Sequence, residues 1–296
     1  MRCLLVLLLL AALVATSASA SVSANRGGDG GRRGPAATLL LRLADATNAK
    51  NLTAIAALLA DDGQFLVPPD TGVVPMGKIE FLFLLEGFFG FMGLNFFDMN
   101  DLYDVAPHAA AARFTQSAFA AKPENGYFFH QGYFVARTTA DGSQLSYLNI
   151  LKANSPAQTN QSAMVDFAAN WSAASTQADF VPKFYSRSVV TRDWGYSNAT
   201  WGNATTHTCD YTCTAAKIAG YDADLRVHRI YASQVVAASS FVAFTGHFFV
   251  QSKAGTPPVE LVTKGVHVLR LVGDDDYSIA EWDMYGLDGP PYNTPQ

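Results

Sequence analysis

Charge is what this chain has least of. Asp, Glu, Lys and Arg make up 15% of its 296 residues, while apolar residues make up 49%. Such a chain can fill real cores and is not a disordered polymer. Its net charge of −5 carries no basic excess, so no nucleic-acid partner is expected. Long hydrophobic runs are also missing beyond the N-terminus. The strongest, Phe81 to Phe97, is 17 residues long and is interrupted by Glu86, Asn95 and three glycines. A membrane span needs roughly 20 apolar residues, so no span is expected in the mature chain. A buried helix is the first reading, and a partner surface the reading if the segment stays exposed.

Cysteine is scarce as well, with three in all. Cys3 lies in a stretch that reads as a secretory signal: Arg2, an apolar core from Leu4 to Val14, then Ala18-Ser19-Ala20. The expected parts are a signal peptide at 1–20, cut after Ala20, and a Gly- and Arg-rich flexible leader at 21–35, which makes the mature protein secreted and extracellular. Glycosylation acceptors of the N-x-[ST] type stand at Asn51, Asn160, Asn170, Asn198 and Asn203, whereas Asn154 is disqualified by Pro156. Cys209 and Cys213 are expected to form a local disulfide in that oxidising compartment. A metal site from His207, Cys209 and Cys213 is the competing reading, but H-x-C-x3-C alone is a weak version of zinc-ligand spacing. No metal and no cofactor is expected.

The chain repeats itself. GVHVLRLVGDDDYSIAEWDMY, from Gly265 to Tyr285, has a gapless echo 133 positions earlier in GYFVARTTADGSQLSYLNILK, from Gly132 to Lys152. Each is an alternating run, a polar turn and a second alternating run, which is a hairpin pattern. Phe114-Thr115 is answered by Phe244-Thr245 at an offset of 130, which places a three-residue loop growth at Ala254 to Pro258. Two modules follow, at 36–153 and 160–288. In each, helical periodicity precedes a meander of strands, the order of an α+β domain with helices gathered on one face of an antiparallel sheet.

With these residues in view, each half resembles the NTF2-like cone, specifically its SnoaL-like branch. The opening LADATNAKNLTAIAALLADDGQFLV is similar to that family's helix, polar break, helix, Asp-Asp and strand. The closing stretch resembles its G-x-v-x-x-R, acidic turn and I-x-E-x-W-D. The resemblance implies tandem curved antiparallel sheets with helices packed on the concave side and an apolar cavity at the wide end. Members with chemistry, such as isomerases, dehydratases and polyketide cyclases, use a carboxylate, His or Tyr in that cavity. Others bind a ligand or a protein, or only dimerise. The family's Glu-His-Trp-Asp form lacks its His here, leaving Glu281, Trp282 and Asp283 adjacent. Without a gap, the matching positions of the first copy are Leu148, Asn149 and Ile150, with no acid.

A strand's period of two puts Ile279, Glu281, Asp283 and Tyr285 on one face, with Trp282 and Met284 on the other. If the first set lines the cavity, Asp283 is the candidate general base, with His267 and His247 on neighbouring strands as acid partners. Glu281, Trp282, Tyr285, Arg192 and Trp194 are the candidate ligand-binding residues. All four Trp, including Trp171 and Trp201, fall in the second half, and large amphipathic rings suit a pocket wall or an interface. The first copy offers only His130, Arg113 and Tyr133, so it is expected to be a packed partner. Two functions are carried forward. One is a secreted glycoprotein that binds a small apolar ligand in module 2, with proton-transfer activity as its extension. The other is a non-catalytic extracellular glycoprotein in which module 1 packs on module 2 as a pseudo-dimer or forms homo-oligomers.

Overall fold

The computed structural model describes residues 33–67, 75–106, 108–122, 126–152, 159–174, 180–194, 207–252, 260–273 and 276–286. The expected signal peptide, nearly all of the leader, Asn198, Trp201 and Asn203 lie outside the described residues.

The protein is α+β, with two curved mixed sheets that each carry their own helices. In the first half, α1 (Pro35–Asn48) and α2 (Leu52–Leu58) lead into β1 (Leu59–Leu66) and α3 (Lys78–Phe91). The strands β2 (Met92–Ala106), β3 (Ala109–Ala120), β4 (Tyr127–Thr138) and β5 (Leu145–Lys152) follow. The second half has α4 (Thr159–Ala173), α5 (Phe180–Phe184), β6 (Tyr185–Asp193), β7 (His207–Cys209) and α6 (Tyr211–Asp224). It ends in β8 (Leu225–Ala238), β9 (Phe241–Ser252), β10 (Glu260–Val272) and β11 (Ser278–Gly286). The sheets run β1-β5-β4-β3-β2 and β7-β6-β11-β10-β9-β8, so the second repeats the first and adds one short edge strand.

Neither sheet is wholly antiparallel, as the sequence pattern suggested. β1 pairs parallel with β5, and β6 with β11. Each module lays down its first strand, leaves through a helix, and returns after the meander with its last strand running in the same direction.

Local chemistry explains most boundaries. Pro35 opens α1, where its missing N–H costs nothing, and Leu39, Leu40 and Leu43 are buried on the concave side of the first sheet. Asn51 caps α2, its Oδ1 accepting from the Ala54 N–H at 2.9 Å. Asp61-Asp62-Gly63, a break by composition, is absorbed into β1, where the register shifts between Leu59 and Gln64. β7 and the start of α6 lie in a stretch rich in Thr and Asn, and within α6 Thr214, Ala215 and Ile218 sit at helical spacing.

The Phe-rich segment differs most from expectation. It is not one buried helix, because α3 ends at Phe91 and the chain turns extended at Met92 (φ −88°, ψ 125°) to begin β2. Only Phe81 of α3 is fully buried, while Ile79 and Phe83 are 83% and 77% exposed. α3 lies on the module surface with one side against β1 and β2, leaving apolar side chains outside.

The ladders also correct the repeat. Ala112 pairs with Phe134 and Phe244 with His267, so β3 and β9 correspond at an offset of 132 rather than 130. Arg137 opposes Tyr147 and Arg270 opposes Glu281, so β5 and β11 correspond at 134. The counterparts of Glu281, Trp282 and Asp283 are therefore Tyr147, Leu148 and Asn149, one residue before the gapless match. Three cores result. One fills the concave side of each sheet, and the third joins the outer faces of the two sheets, with Tyr133, Val135 and Leu151 against Val266, Val268 and Tyr285.

Candidate functional site

The last strand does not keep a strict period of two. Arg270 opposes Glu281, but Leu271 opposes Ile279, so Ala280 is an extra residue in a bulge. The bulge turns Ile279 to the interior of module 2 with Trp282, and turns Asp283 and Tyr285 to the outer face. The first copy has the same bulge at Ser146. Asp283 and Tyr285 therefore meet module 1 and not a cavity of module 2.

Asp283 is 7% exposed and sits in a web of donors. Its Oδ2 accepts from Arg137 Nη2 at 3.2 Å. Its Oδ1 accepts from Trp194 Nε1 at 2.9 Å and from Arg192 Nη1 at 3.4 Å. Arg137 comes from module 1. Its guanidinium lies between the rings of Tyr147 (4.1 Å) and Trp194 (3.9 Å) and also donates to the Tyr285 hydroxyl at 3.1 Å. Trp194 stacks on Tyr285, 6° from parallel. Burial alone pulls the Arg137 pKa down, but Tyr285, Asp283 and Tyr147 outweigh it and hold the guanidinium charged. Glu281 bonds Arg192 at 3.0 Å and Arg270 at 2.7 Å. Burial pushes its carboxyl up, yet these two arginines leave it below the ordinary glutamate range. A general base must reach a substrate proton. Asp283 has both oxygens committed and is covered by the other module.

His267 is on the opposite face of the second sheet, in the module 2 core. Its ring is parallel to Phe244 (2°) and near-parallel to Trp282 (24°). Trp282 Nε1 donates to its Nδ1 at 3.1 Å. An indole N–H only donates, so Nδ1 carries a lone pair and the neutral ring holds its proton on Nε2. Burial brings its pKa down to about 4. His267 and Asp283 thus cannot work as a pair. His247 is described in its backbone only, on β9 opposite Lys264. Of the candidate ligand-binding residues, Glu281, Tyr285, Arg192 and Trp194 gather at the module junction, while Trp282 packs edge-on against Trp171 in the core. Sequence reasoning missed Arg137 and Tyr147. The one available signal was an arginine at the same place in both hairpins.

A hollow lies in module 1. An apolar cavity of about 100 Å³ opens beneath α3. α1 contributes Leu43, Ala44 and Thr47, and α3 contributes Phe81, Leu84, Leu85 and Phe88. Phe97, Phe134 and Ile150 line it from the sheet, with Gln116 and Lys152 as its polar members beside Thr47. Gln116 Nε2 donates to Asn95 Oδ1 at 2.7 Å. Of the first copy's polar candidates, Arg113 pairs with Asp101 at 3.0 Å and His130 lies across from Gln116 in the ladder. The Tyr133 hydroxyl reaches across the modules to the Gln234 carbonyl and to Thr245, at 2.9 Å each.

Asn51 and Asn170 are exposed, and Asn160 is described in its backbone only. The Asn51 cap uses Oδ1 and leaves Nδ2, the glycan attachment atom. Cys209 and Cys213 are disulfide-bonded, tying β7 to the start of α6. Among the described residues no group of three or more His, Cys, Asp or Glu could hold a metal ion, and no helix is long and apolar enough to cross a membrane.

No family model and no curated protein matches the sequence. Similar solved structures include a SnoaL-like protein from Shewanella denitrificans assigned as a polyketide cyclase, 11% identical, with 39% of this chain and 88% of that one covered at a TM-score of 0.35. The polyketide cyclase-type protein IdmH from Streptomyces antibioticus is 15% identical, with 40% and 91% covered at 0.35. An NTF2-like protein from an Exiguobacterium species is 17% identical, with 40% and 99% covered at 0.34. Each takes in most of the neighbour and about two fifths of this chain.

Two predictions follow from this geometry. Asp283→Asn strips Arg137 and Arg192 of their shared carboxylate and should lower stability by about 2–4 kcal/mol, the scale for breaking a largely buried ion pair. Urea denaturation measures it, and Arg137→Met combined with Asp283→Leu should recover part of the loss. The second concerns acid. The His267 pKa is lower folded than unfolded, so the unfolded chain takes up the proton first as pH falls. Stability is complete above about pH 6.5 and declines by about 3 kcal/mol towards pH 4, with little further loss from this group below. Denaturation midpoints of the wild type and of His267→Gln across that window should diverge, the variant lacking this decline.

Proposed function

We propose that this is a secreted glycoprotein that holds a small apolar molecule in the hollow of module 1, with module 2 packed against it. The observation that carries this reading is the apolar cavity beneath α3. Pockets for drug-sized ligands run to roughly 300–1,000 Å³, and an apolar cavity of about 150 Å³ takes benzene. At about 100 Å³ the hollow suits a single small ring or a short chain. Secretion rests on the N-terminal pattern, and glycosylation on five acceptors, of which Asn51 and Asn170 are exposed. Proton transfer is not part of the proposal, because no carboxylate, imidazole or phenol is among the lining residues.

A second reading, assembly with another copy, is favoured by one observation. The outer face of the first sheet continues past its contact with module 2 into Phe96, Phe119 and Phe129, each 45–48% exposed. If that face pairs copies, sedimentation equilibrium of the wild type should give a dimer and Phe129→Ser with Phe96→Ser a monomer. A wild-type monomer at high concentration removes this reading.

The ligand reading is tested with toluene as probe. Saturating toluene should raise the wild-type melting temperature by a few degrees through mass action. Ala44→Leu, which fills much of the cavity, should match or exceed the wild type in stability and no longer respond. A wild type indifferent to toluene would overturn the proposal.

A further inference from the structure

We infer that Gly87 and Gly90 set the size of ligand that the module 1 hollow admits: they let the middle of α3 bow away from the sheet, so the hollow takes apolar molecules larger than its resting volume. This rests on the ligand-binding reading above and names the residues that decide its size range. α3 has two stripes. Phe81, Leu84, Leu85 and Phe88 recur at helical spacing and line the hollow. Ile79, Phe83, Glu86, Gly87 and Gly90 lie on the other side and are exposed. A glycine inside a helix lowers its stability relative to alanine, so its presence asks for a reason. Two reasons serve other glycines of this chain. Gly132 and Gly246 leave room for a ring, and Gly126, Gly142 and Gly273 have positive φ. Neither applies in α3, where both residues keep a helical backbone and a Cβ on either would meet nothing within 4 Å. What the pair does is soften the helix where it crosses the hollow.

α3 is fastened on both sides of that stretch. At its start the Gly77 N–H donates to Glu80 Oε2 at 2.9 Å and Lys78 Nζ donates to Asp61 Oδ1 at 2.7 Å. Phe81, its one fully buried residue, stacks on Phe65 with ring centroids 5.2 Å apart. At its end the Phe91 carbonyl accepts from the Ala121 N–H at 2.9 Å. Every residue from Leu82 to Gly90 is half-buried or exposed, and Glu86 is the one polar side chain among them. The middle of α3 is therefore held down by its apolar inner stripe, and that stripe lies over a void. Atoms facing a void lack dispersion partners. A ligand that pushes the helix outward supplies those partners as it does so, and glycines are where a helix bends most cheaply. The apparent affinity for a large ligand then includes the cost of populating the bowed helix, and stiffening the helix raises that cost.

The test compares toluene with n-butylbenzene, which lengthens toluene's side chain without changing its ring, by titration calorimetry on the full chain. Wild type should bind n-butylbenzene at least as tightly as toluene, since the added methylenes leave water. Gly87→Ala with Gly90→Ala should melt several degrees higher and should weaken n-butylbenzene relative to toluene about fivefold or more, the scale of one Gly-to-Ala exchange in a helix interior. Gly90→Ala alone should shift the ratio in the same direction by less. A double variant that melts higher and keeps the wild-type ratio would show that the glycines do not set ligand size, and so would a wild type that takes toluene and excludes n-butylbenzene. Either result leaves the cavity reading intact. A wild type that binds neither hydrocarbon would sink the cavity reading itself.

Discussion

The structure depends on one ion pair made between its halves, Arg137 of the first module with Asp283 of the second. Taking these charges out of water is expensive, and Coulomb attraction rarely repays it with much to spare. Here the cost is spread over several partners: a second arginine, an indole N–H, a tyrosine hydroxyl, and two aromatic faces above and below the guanidinium. The surrounding contact is made of Ala109, Ala111 and Val135 against Ala243, Val266 and Val268. Small aliphatic faces of that kind attract without direction and leave the relative position of the sheets open. The ion pair, together with the Tyr133 hydroxyl at the Gln234 carbonyl, has direction and a fixed length. Its work is to set how the modules register, while the apolar contact supplies most of the attraction.

That assignment explains why the most suggestive acid in the sequence is not placed for chemistry. Asp283 was attractive because an acid on an apolar strand reads as a desolvated base. The strand does bury it, but against a partner sheet, and its oxygens are consumed there. The same face carries Asn149 at the corresponding place in module 1. A neutral amide in one copy and a carboxylate in the other make the junction asymmetric, so a single charge pair forms where strict symmetry would have given two.

The duplication, the α+β class, the closing hairpins and the helix-then-strand order were all legible, since each rests on periodicity over many residues. The faces of the last strand were not. They hinge on a one-residue bulge at Ala280, and a bulge leaves no mark in composition. The parallel pairing of β1 with β5 was hidden for a related reason: strand order is decided by which edge is left open, not by local propensity. The Phe-rich segment misled because hydrophobicity was taken for burial. Its helix is apolar on every side, yet α3 has only one side to lay against the module, so Ile79 and Phe83 face outward. Reading the cavity into module 2 followed from the acids there, whereas the hollow needs only missing bulk.

Missing bulk is what separates the modules. Where module 1 has Leu148, module 2 has Trp282, and where module 1 has Phe134, module 2 has His267. Trp171 adds a second indole against Trp282, and Phe244 stands in place of Ala112. A glycine lets a ring lie flat on the sheet in both. In module 1 a Cβ on Gly132 would press on Phe114, and in module 2 one on Gly246 would overlap His267. The positions of ring and glycine are exchanged between the two strands, and the consequence differs. In module 2 the ring on β10 stacks between Phe244 and Trp282. In module 1 the rings of Phe97, Phe114 and Phe134 cluster on the sheet and stop short of α1 and α3. With no tryptophan to span that gap, the first module keeps its hollow. The absence of that residue from the first half of the sequence was the visible sign of where the hollow lies.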